Sequence, residues 1–311
     1  MFPDMTSTRR DWLFRSAALG ALPASSLFAV SDPYERSGSR LAPALAAYSF
    51  RNHFAFMRGS PNAKAEGEET IDMPEFIRFC AEHGGVAAEL TSYFFPPELD
   101  TTYLADCRRI AHVNGVAIAG TAVGNNFSHP AGSPERAEQM AYVKEWIDHA
   151  VVMGAPHVRV FAGKHPEGVS AEEAERNAIE ALEEAGAYAG ERGIHLGIEN
   201  HDSIGTADHL LRIVRAVKSP WVGVNLDTGN FRAPDPYAEM EASAPFAVNV
   251  QLKTELRIGD GDREPADFDR IFGILREAGY AGYVVLEYEE DKNPFEHVPA
   301  LLEKIGTLCE G

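Results

Sequence analysis

Two kinds of segment alternate along this chain, namely short apolar runs and longer stretches with helical spacing. Short runs rich in apolar and β-branched residues are typical of strands. The predicted strands are Ala44–Phe50, Gly85–Thr91, Val116–Val123, His157–Ala162, His195–Asn200, Trp221–Asp227, Ala247–Lys253 and Tyr283–Tyr288. Each run is nearly continuous in its apolar residues, which favours parallel strands that are covered by helices.

The stretches between these runs predict amphipathic helices. Leu210, Leu211 and Val214, for example, recur at helical period, and Thr206 precedes them as a helix-start residue. Alternation of strand and helix over roughly 270 residues gives eight units, the number that closes a (β/α)₈ barrel. The sequence therefore predicts an α/β fold with a single TIM barrel over residues 41–311. A doubly wound sheet would carry a glycine-rich loop after its first strand, and residues 49–52 are not one.

Composition and charge narrow the classes of partner. The chain has 311 residues, of which 45% are hydrophobic and 24% charged, as in ordinary globular proteins. It carries 28 basic and 47 acidic side chains, so its formal charge is 28 − 47 = −19. This acidic balance argues against a nucleic-acid partner, because such binding needs a basic surface. The three cysteines are too few and too scattered for a disulfide framework.

The first 40 residues are predicted to be an export signal and a polar linker. Arg9 and Arg10 directly precede an apolar run that ends near Val30 and contains Pro23. That run is about half the ~20 residues of a membrane span, so no stable membrane anchor is expected. The paired arginines are typical of a twin-arginine signal, which predicts a periplasmic protein. An arbitrary basic amphipathic leader is the alternative.

Acidic side chains follow several of the predicted strands. Glu199, Asp227 and Glu287 each stand just after an apolar run, and Gln251 lies on the strand between the last two. The carboxyl ends of barrel strands meet at one mouth. Carboxylates gathered there repel one another, so either some are protonated or a cation compensates them. All four are hard oxygen donors that suit a divalent ion, and we expect Mn²⁺, with Mg²⁺ or Co²⁺ as alternatives.

Four strand-end motifs resemble the signature strands of the xylose isomerase-like TIM barrels. The motifs are Ile198–His201, Asn225–Asn230, Gln251–Lys253 and Val284–Glu289. That superfamily holds sugar epimerases and isomerases, hydroxypyruvate isomerase, inosose dehydratase and endonuclease IV. Histidines of the kind that endonuclease IV uses for zinc are missing here, which argues against phosphodiester hydrolysis.

The resemblance also implies roles for individual residues. It places the metal on Glu199, Asp227, Gln251 and Glu287, and makes Glu199 and Glu287 the groups that exchange the substrate proton. An arginine six residues after the seventh-strand ligand contacts substrate in the ketose 3-epimerases, which implies that role for Arg257. The family often has histidine at the positions of Gln251 and Asn230, so this chain departs from its pattern at both.

Further residues near the strand ends are candidates for substrate binding. Lys253 and Arg159 could orient substrate oxygens, although Lys253 could equally form an ion pair with a neighbouring carboxylate. Glu89 could bind a hydroxyl group or brace Lys253. The complete set of expected substrate contacts is Arg257, Lys253, Asn200, His201, Asn230, Arg159 and Glu89.

Three functions remain open at this point. The first is a divalent-metal-dependent sugar isomerase or epimerase that removes a proton next to a carbonyl and forms an enediolate. The second is a metal-dependent lyase or deglycosidase that acts on keto-sugars or 3-keto-glycosides. The third is a non-catalytic sugar-binding barrel, which would not need two facing glutamates. Each implies a small sugar or glycoside as partner, and leaves open an assembly of identical chains.

Overall fold

The computed structural model describes residues 36–65, 69–259 and 261–311, and residues 36–311 form one compact unit. The predicted signal therefore lies outside the described residues, as does the predicted linker up to residue 35. None of the described helices combines the length and the apolar character that crossing a membrane would require.

Eight parallel strands close into a barrel, which confirms the predicted fold. They are β1 (Arg40–Ala46), β2 (Ala87–Glu89), β3 (Ile118–Ala122), β4 (His157–Val160), β5 (His195–Glu199), β6 (Val222–Asp227), β7 (Ala247–Leu252) and β8 (Ala281–Leu286). Each strand pairs with its neighbours in chain order, and β8 pairs with β1 to complete the closure.

In the described part of the chain, eight α-helices follow the strands. They are α1 (Met73–Glu82), α2 (Thr101–Val113), α3 (Pro134–Met153), α4 (Ala171–Gly190), α5 (Ala207–Ala216), α6 (Pro236–Ser243), α7 (Phe268–Glu277) and α8 (Pro294–Glu310). A short polar side chain caps the first turn of each one, including the predicted cap Thr206 on α5. These caps satisfy backbone N–H groups that have no partner within the helix, and so fix where each helix begins.

The first strand begins four residues earlier than predicted and also ends earlier. It covers Arg40–Ala46, whereas Ala47–Phe50 form a 3₁₀ turn instead of the end of a strand. Most of the turn is buried, so the apolar pattern runs on through it. Hydrophobicity alone does not separate a buried strand from a buried turn.

The segment after β1 folds back over the barrel as a small hairpin. Phe56–Met57 pair with Ser60–Pro61 around a two-residue turn, in which Arg58 and Gly59 both have positive φ, at 51° and 74°. Both positions of a type I′ turn require this region, and an arginine rarely adopts it. The segment is anchored by Phe54, whose buried ring stacks on Phe94 at 4.4 Å between ring centroids.

Candidate active site

The ends of three neighbouring strands bring three carboxylates around one lysine ammonium. Lys253 follows β7, and its Nζ lies 2.9 Å from Oε2 of Glu287 and 3.1 Å from Oε2 of Glu289, both just beyond β8. Oδ2 of Asp227, at the end of β6, lies 3.4 Å from the same Nζ. We call these four residues the Lys253 cluster. The ion pair considered for Lys253 is therefore present, and its contact with substrate stays a prediction.

A second ion pair holds Glu199 at the end of β5. Nε of Arg159, on the adjacent β4, lies 2.9 Å from Oε2 of Glu199. Nδ2 of Asn230 donates to the other carboxylate oxygen at 2.9 Å. Arg159 is itself oriented by a hydrogen bond from Nη1 to the carbonyl of Val123. Both oxygens of Glu199 therefore have partners, and the carboxylate orientation is fixed.

Burial controls the protonation of these groups. Glu199 and Lys253 are 4% and 6% exposed, and Asp227 is completely buried. Burial raises the pKa of Glu199 to about 7, against the opposing effect of Arg159, and raises that of Asp227 to about 8, against Lys253. Burial also acts to lower the pKa of Lys253, but its carboxylate neighbours raise it well above the usual value, so this lysine stays charged.

A closed ring of hydrogen bonds lies below this layer of charges. Gln251 donates to Glu89 at 2.9 Å and accepts at its carbonyl from Asn225 at 2.7 Å. Asn249 completes the ring by donating to Asn225 at 2.8 Å and to Glu89 at 3.2 Å. All four side chains are buried, and we call them the amide ring. Burial raises the pKa of Glu89 to about 7, with a further contribution from Glu287.

The residues present do not fit a divalent ion in this arrangement. Among the described residues, no group of three or more His, Cys, Asp or Glu side chains is placed to hold a metal. The carbonyl of Gln251 faces Asn225, and the ammonium of Lys253 lies among the carboxylates where an ion would be expected. A second cation at that point would be repelled in a medium of low dielectric constant. The four predicted ligands are thus not arranged around a shared ion position, and metal binding by them stays a prediction from the resemblance.

A cavity of about 190 Å³ opens above the ion pairs. It is lined by Tyr48, Arg58, Tyr93, Arg159, Phe161, Glu199, His201, Asn230, Lys253, Glu287 and Glu289. Aromatic rings form one wall, on which the guanidinium of Arg58 lies 4.1 Å above the ring of Tyr93. His201 packs on Phe161, with 4.5 Å between ring centroids. The cavity thus combines two carboxylate–cation pairs with aromatic surface, as a site for a polar small molecule requires.

The structure brings together most of the predicted site residues. Six of them line the cavity, namely Glu199, Glu287, Lys253, Arg159, His201 and Asn230. Asp227 and Gln251 lie below it, buried in the Lys253 cluster and the amide ring respectively.

Three predicted substrate contacts lie elsewhere. Glu89 belongs to the amide ring and braces Gln251 and Asn249 instead of Lys253. Asn200 is buried, and its side chain exchanges two hydrogen bonds with the backbone of Asp227, which ties the ends of β5 and β6 together. Arg257 is exposed on a hairpin between Glu255–Arg257 and Arg263–Pro265, where it donates to the carbonyl of Gly261. A substrate contact by Arg257 stays a prediction from the family resemblance.

Five cavity residues were missing from the predicted set, namely Tyr48, Arg58, Tyr93, Phe161 and Glu289. Tyr48 and Phe161 fall within apolar runs and were assigned to strands, while Arg58 lies in the segment after β1. The sequence did contain a signal for Phe161. Residues two positions apart in an extended chain lie on the same face, and Phe161 is two positions after the predicted site residue Arg159. No comparable signal identifies Arg58, because the hairpin turn carries it into the cavity.

Comparisons with known proteins agree with this architecture. The family model described as xylose isomerase-like TIM barrel matches residues 77–306. A Xenopus laevis protein provisionally named hydroxypyruvate isomerase is 23% identical over 274 residues, which are 82% of this chain and 98% of that protein.

Solved structures give the same result for the fold. A xylose isomerase-like TIM barrel protein from Mycobacterium smegmatis, in complex with magnesium, superposes with a TM-score of 0.65 and 20% identity, over 86% of this chain and 96% of its own. An L-ribulose 3-epimerase superposes with a TM-score of 0.64 and 17% identity, over 87% and 95%.

Proposed function

This chain belongs to the xylose isomerase-like TIM barrel family, as its four motifs predicted, and on that premise we propose that it is a sugar isomerase or epimerase. The proposed reaction moves a proton at a carbon next to a carbonyl. One observation carries the proposal: Glu199 and Glu287, which are 88 residues apart in the chain (287 − 199), line the same small cavity, and each is paired with a fixed cation.

The proposed chemistry uses the two glutamates as acid and base. One carboxylate removes the proton next to the carbonyl, and the electron pair moves onto the carbonyl oxygen to give an enediolate. For epimerisation the other glutamate returns a proton to the opposite face, whereas for isomerisation a proton goes to the adjacent carbon. The raised pKa of Glu199, about 7 because of burial, supports this role, since both of its forms are populated near neutral pH.

Fixed positive charge in the cavity stabilises the enediolate in this proposal. Arg159 and Lys253 both line the cavity and are held in place by the carboxylates that they contact. Donors that are already oriented toward developing negative charge cost no reorganisation during the reaction.

The size of the cavity supports a small substrate. At about 190 Å³ it is below the roughly 300–1,000 Å³ of pockets that hold drug-sized ligands. The relatives' names, hydroxypyruvate isomerase and L-ribulose 3-epimerase, likewise denote enzymes of small carbonyl compounds. We therefore propose short-chain keto-sugars as the substrate class.

Exchange with solvent deuterium tests the proposal. The full chain is incubated in D₂O with a panel of ketoses and 3-keto-glycosides, and the C–H signals next to the carbonyl are followed by NMR. Loss of one such signal without loss of a substituent is the expected result. Release of an aglycone would instead indicate the lyase. Binding without any exchange would indicate the sugar-binding barrel and contradict the proposal.

Export to the periplasm by a twin-arginine signal is a separate proposal. It rests on Arg9 and Arg10 and the apolar run that follows them. Fractionation of cells that express the full chain, compared with an Arg9→Lys, Arg10→Lys variant, tests it: the wild type should be recovered outside the cytoplasm and the variant inside.

A further inference from the structure

We propose that Lys253 is the resident cation of this site, in the position where the family resemblance implies a divalent metal ion, and that the protein works without a metal. The role of Lys253 in catalysis rests on the proposed function, whereas its exclusion of a metal ion does not.

The contacts of Lys253 match what an ammonium group can make. It has three N–H donors and no acceptor. Its Nζ lies within 3.4 Å of three separate carboxylates, those of Asp227, Glu287 and Glu289. Mg²⁺ requires its own oxygen ligands at about 2.0–2.1 Å in a near-octahedral shell. An ion bound by Asp227 and Glu287 at such distances would occupy the space of the lysine head group.

The fourth predicted ligand is also engaged elsewhere. The amide of Gln251 is used at both ends, with its carbonyl facing Asn225 and its nitrogen facing Glu89. Both partners are completely buried and hydrogen-bonded in turn to Asn249, so the amide ring holds the Gln251 side chain below the carboxylates. Turning the carbonyl toward a metal would leave Asn225 without its acceptor, which is costly for a buried amide.

Glu199, the remaining predicted metal ligand, is already paired with a side-chain cation. Glu199 is paired with Arg159 at 2.9 Å, and Nδ2 of Asn230 donates to its other carboxylate oxygen. The site therefore divides its carboxylates between two side-chain cations, Arg159 for Glu199 and Lys253 for the other three. A buried carboxylate needs a compensating charge or a proton, and these two side chains supply the charge that a metal would otherwise provide.

The chemistry of the proposal balances with these groups alone. The substrate proton goes to a glutamate, and the electron pair of the broken C–H bond goes to the carbonyl oxygen. The negative charge on that oxygen is held by the ammonium of Lys253 and the guanidinium of Arg159, which both line the cavity. Return of a proton to carbon restores the carbonyl, and no oxidant or reductant takes part.

Binding of Mn²⁺ to the chelator-treated full chain tests the proposal without any assay of activity. Titration calorimetry and the electron paramagnetic resonance signal of free Mn²⁺ are measured for the wild type and for Lys253→Ala, Lys253→Arg and Lys292→Ala. We expect no stoichiometric binding by the wild type. Lys253→Ala removes the ammonium and should bind one Mn²⁺ per chain. Lys253→Arg, which keeps the charge, and Lys292→Ala, which removes a rim lysine that contacts Glu290, should behave like the wild type.

Thermal unfolding gives a second readout in case Lys253→Ala is poorly stable. Added Mn²⁺ should raise the Tm of that variant and leave the Tm of the wild type unchanged, because only a ligand that binds the folded state stabilises it. Stoichiometric Mn²⁺ binding by the wild type would overturn the proposal. So would a Lys253→Ala protein that binds no Mn²⁺, since the ammonium would then not be what keeps the ion out.

Failure of this inference can be told apart from failure of the proposed function. If the wild type exchanges substrate deuterium but loses that activity on chelation and regains it with Mn²⁺, the proposed function stands and the role of Lys253 is wrong. If no sugar undergoes exchange with or without Mn²⁺, the proposed function is wrong, and the binding data alone decide whether Lys253 takes the place of the ion.

Discussion

The Lys253 ammonium lies 2.9 Å from a carboxylate oxygen of Glu287 in the cavity of the barrel. The two residues come from the ends of neighbouring strands, β7 and β8, and each is less than a tenth exposed. This contact orients the carboxylate that we propose to transfer a proton, and it keeps a positive charge next to the place where the substrate would develop negative charge.

Substitution of Glu287 tests its role as a proton-transfer group. Glu287→Gln retains an oxygen that can accept from Lys253 but removes the group that carries the proton. We expect solvent-deuterium exchange to fall by about 10²-fold or more, because general acid–base catalysis contributes at least that much. Exchange is measured by NMR at saturating substrate. The matched control is Glu290→Gln, which changes a carboxylate that contacts Lys292 at the rim. Equal rates in wild type and Glu287→Gln would exclude the assigned role.

Removal of Asn230 should shift the pH dependence of the reaction. Nδ2 of Asn230 donates to Glu199 and lowers its pKa, which burial otherwise raises to about 7. In Asn230→Ala that pKa should rise further, since the charged carboxylate loses a donor. A base must be deprotonated to act, so the acidic limb of the exchange rate against pH should move to higher pH. A limb that stays in place or moves to lower pH would count against Glu199 as the base.

Arg58 and Arg257 distinguish the observed site from the predicted one. Arg58 lines the cavity from its hairpin turn, whereas Arg257 is exposed on another hairpin. We expect Arg58→Ala to raise KM by about tenfold with a small change in kcat, because it removes a binding contact and leaves the glutamates intact. Arg257→Ala should have the smaller effect on KM. A larger effect from Arg257 would support the role implied by the family resemblance.

His157 should make stability depend on pH. It is buried on β4 between Gly120 and Gly197, and neither ring nitrogen has a hydrogen-bond partner among the described residues. Burial, with smaller effects from His195 and Arg159, lowers its pKa from 6.5 to about 3. Below pH 6.5 the unfolded chain binds a proton that the folded chain does not, so stability falls as pH falls through this window, by about 1.4 kcal/mol per unit.

A non-titrating variant isolates this effect from that of the acidic residues. The free energy of urea unfolding is measured near neutral pH and at about pH 5 for the wild type and His157→Gln. The wild type should lose about 2 kcal/mol more than the variant over this interval. Equal losses would mean that His157 becomes protonated in the folded state as readily as in the unfolded chain.

The sequence was sufficient to predict the barrel fold and to predict that the acidic residues lie at its mouth. Apolar runs locate strands, and parallel strands that close into a barrel bring their carboxyl ends together, so Glu199 and Glu287 could be placed near one another. The limits of β1 could not be found in this way, because the buried turn at Ala47–Phe50 continues its apolar pattern.

Depth within the barrel was the other feature that the sequence could not determine. Gln251 and Lys253 are two positions apart and therefore share a face. The strand pattern does not show that the side-chain amide of Gln251 contacts Glu89, whereas the longer side chain of Lys253 contacts Glu287. That choice depends on Asn225 and Asn249, which form the amide ring only once β6 and β7 are paired.

Deuterium incorporation by the chelator-treated protein tests the central claim most directly. Wild-type protein should exchange the proton next to the carbonyl of a keto-sugar at an undiminished rate after chelation, and Glu199→Gln and Glu287→Gln should each lose this exchange. Exchange that persists in either glutamine variant, or that is absent from the wild type with every sugar tried, would contradict it.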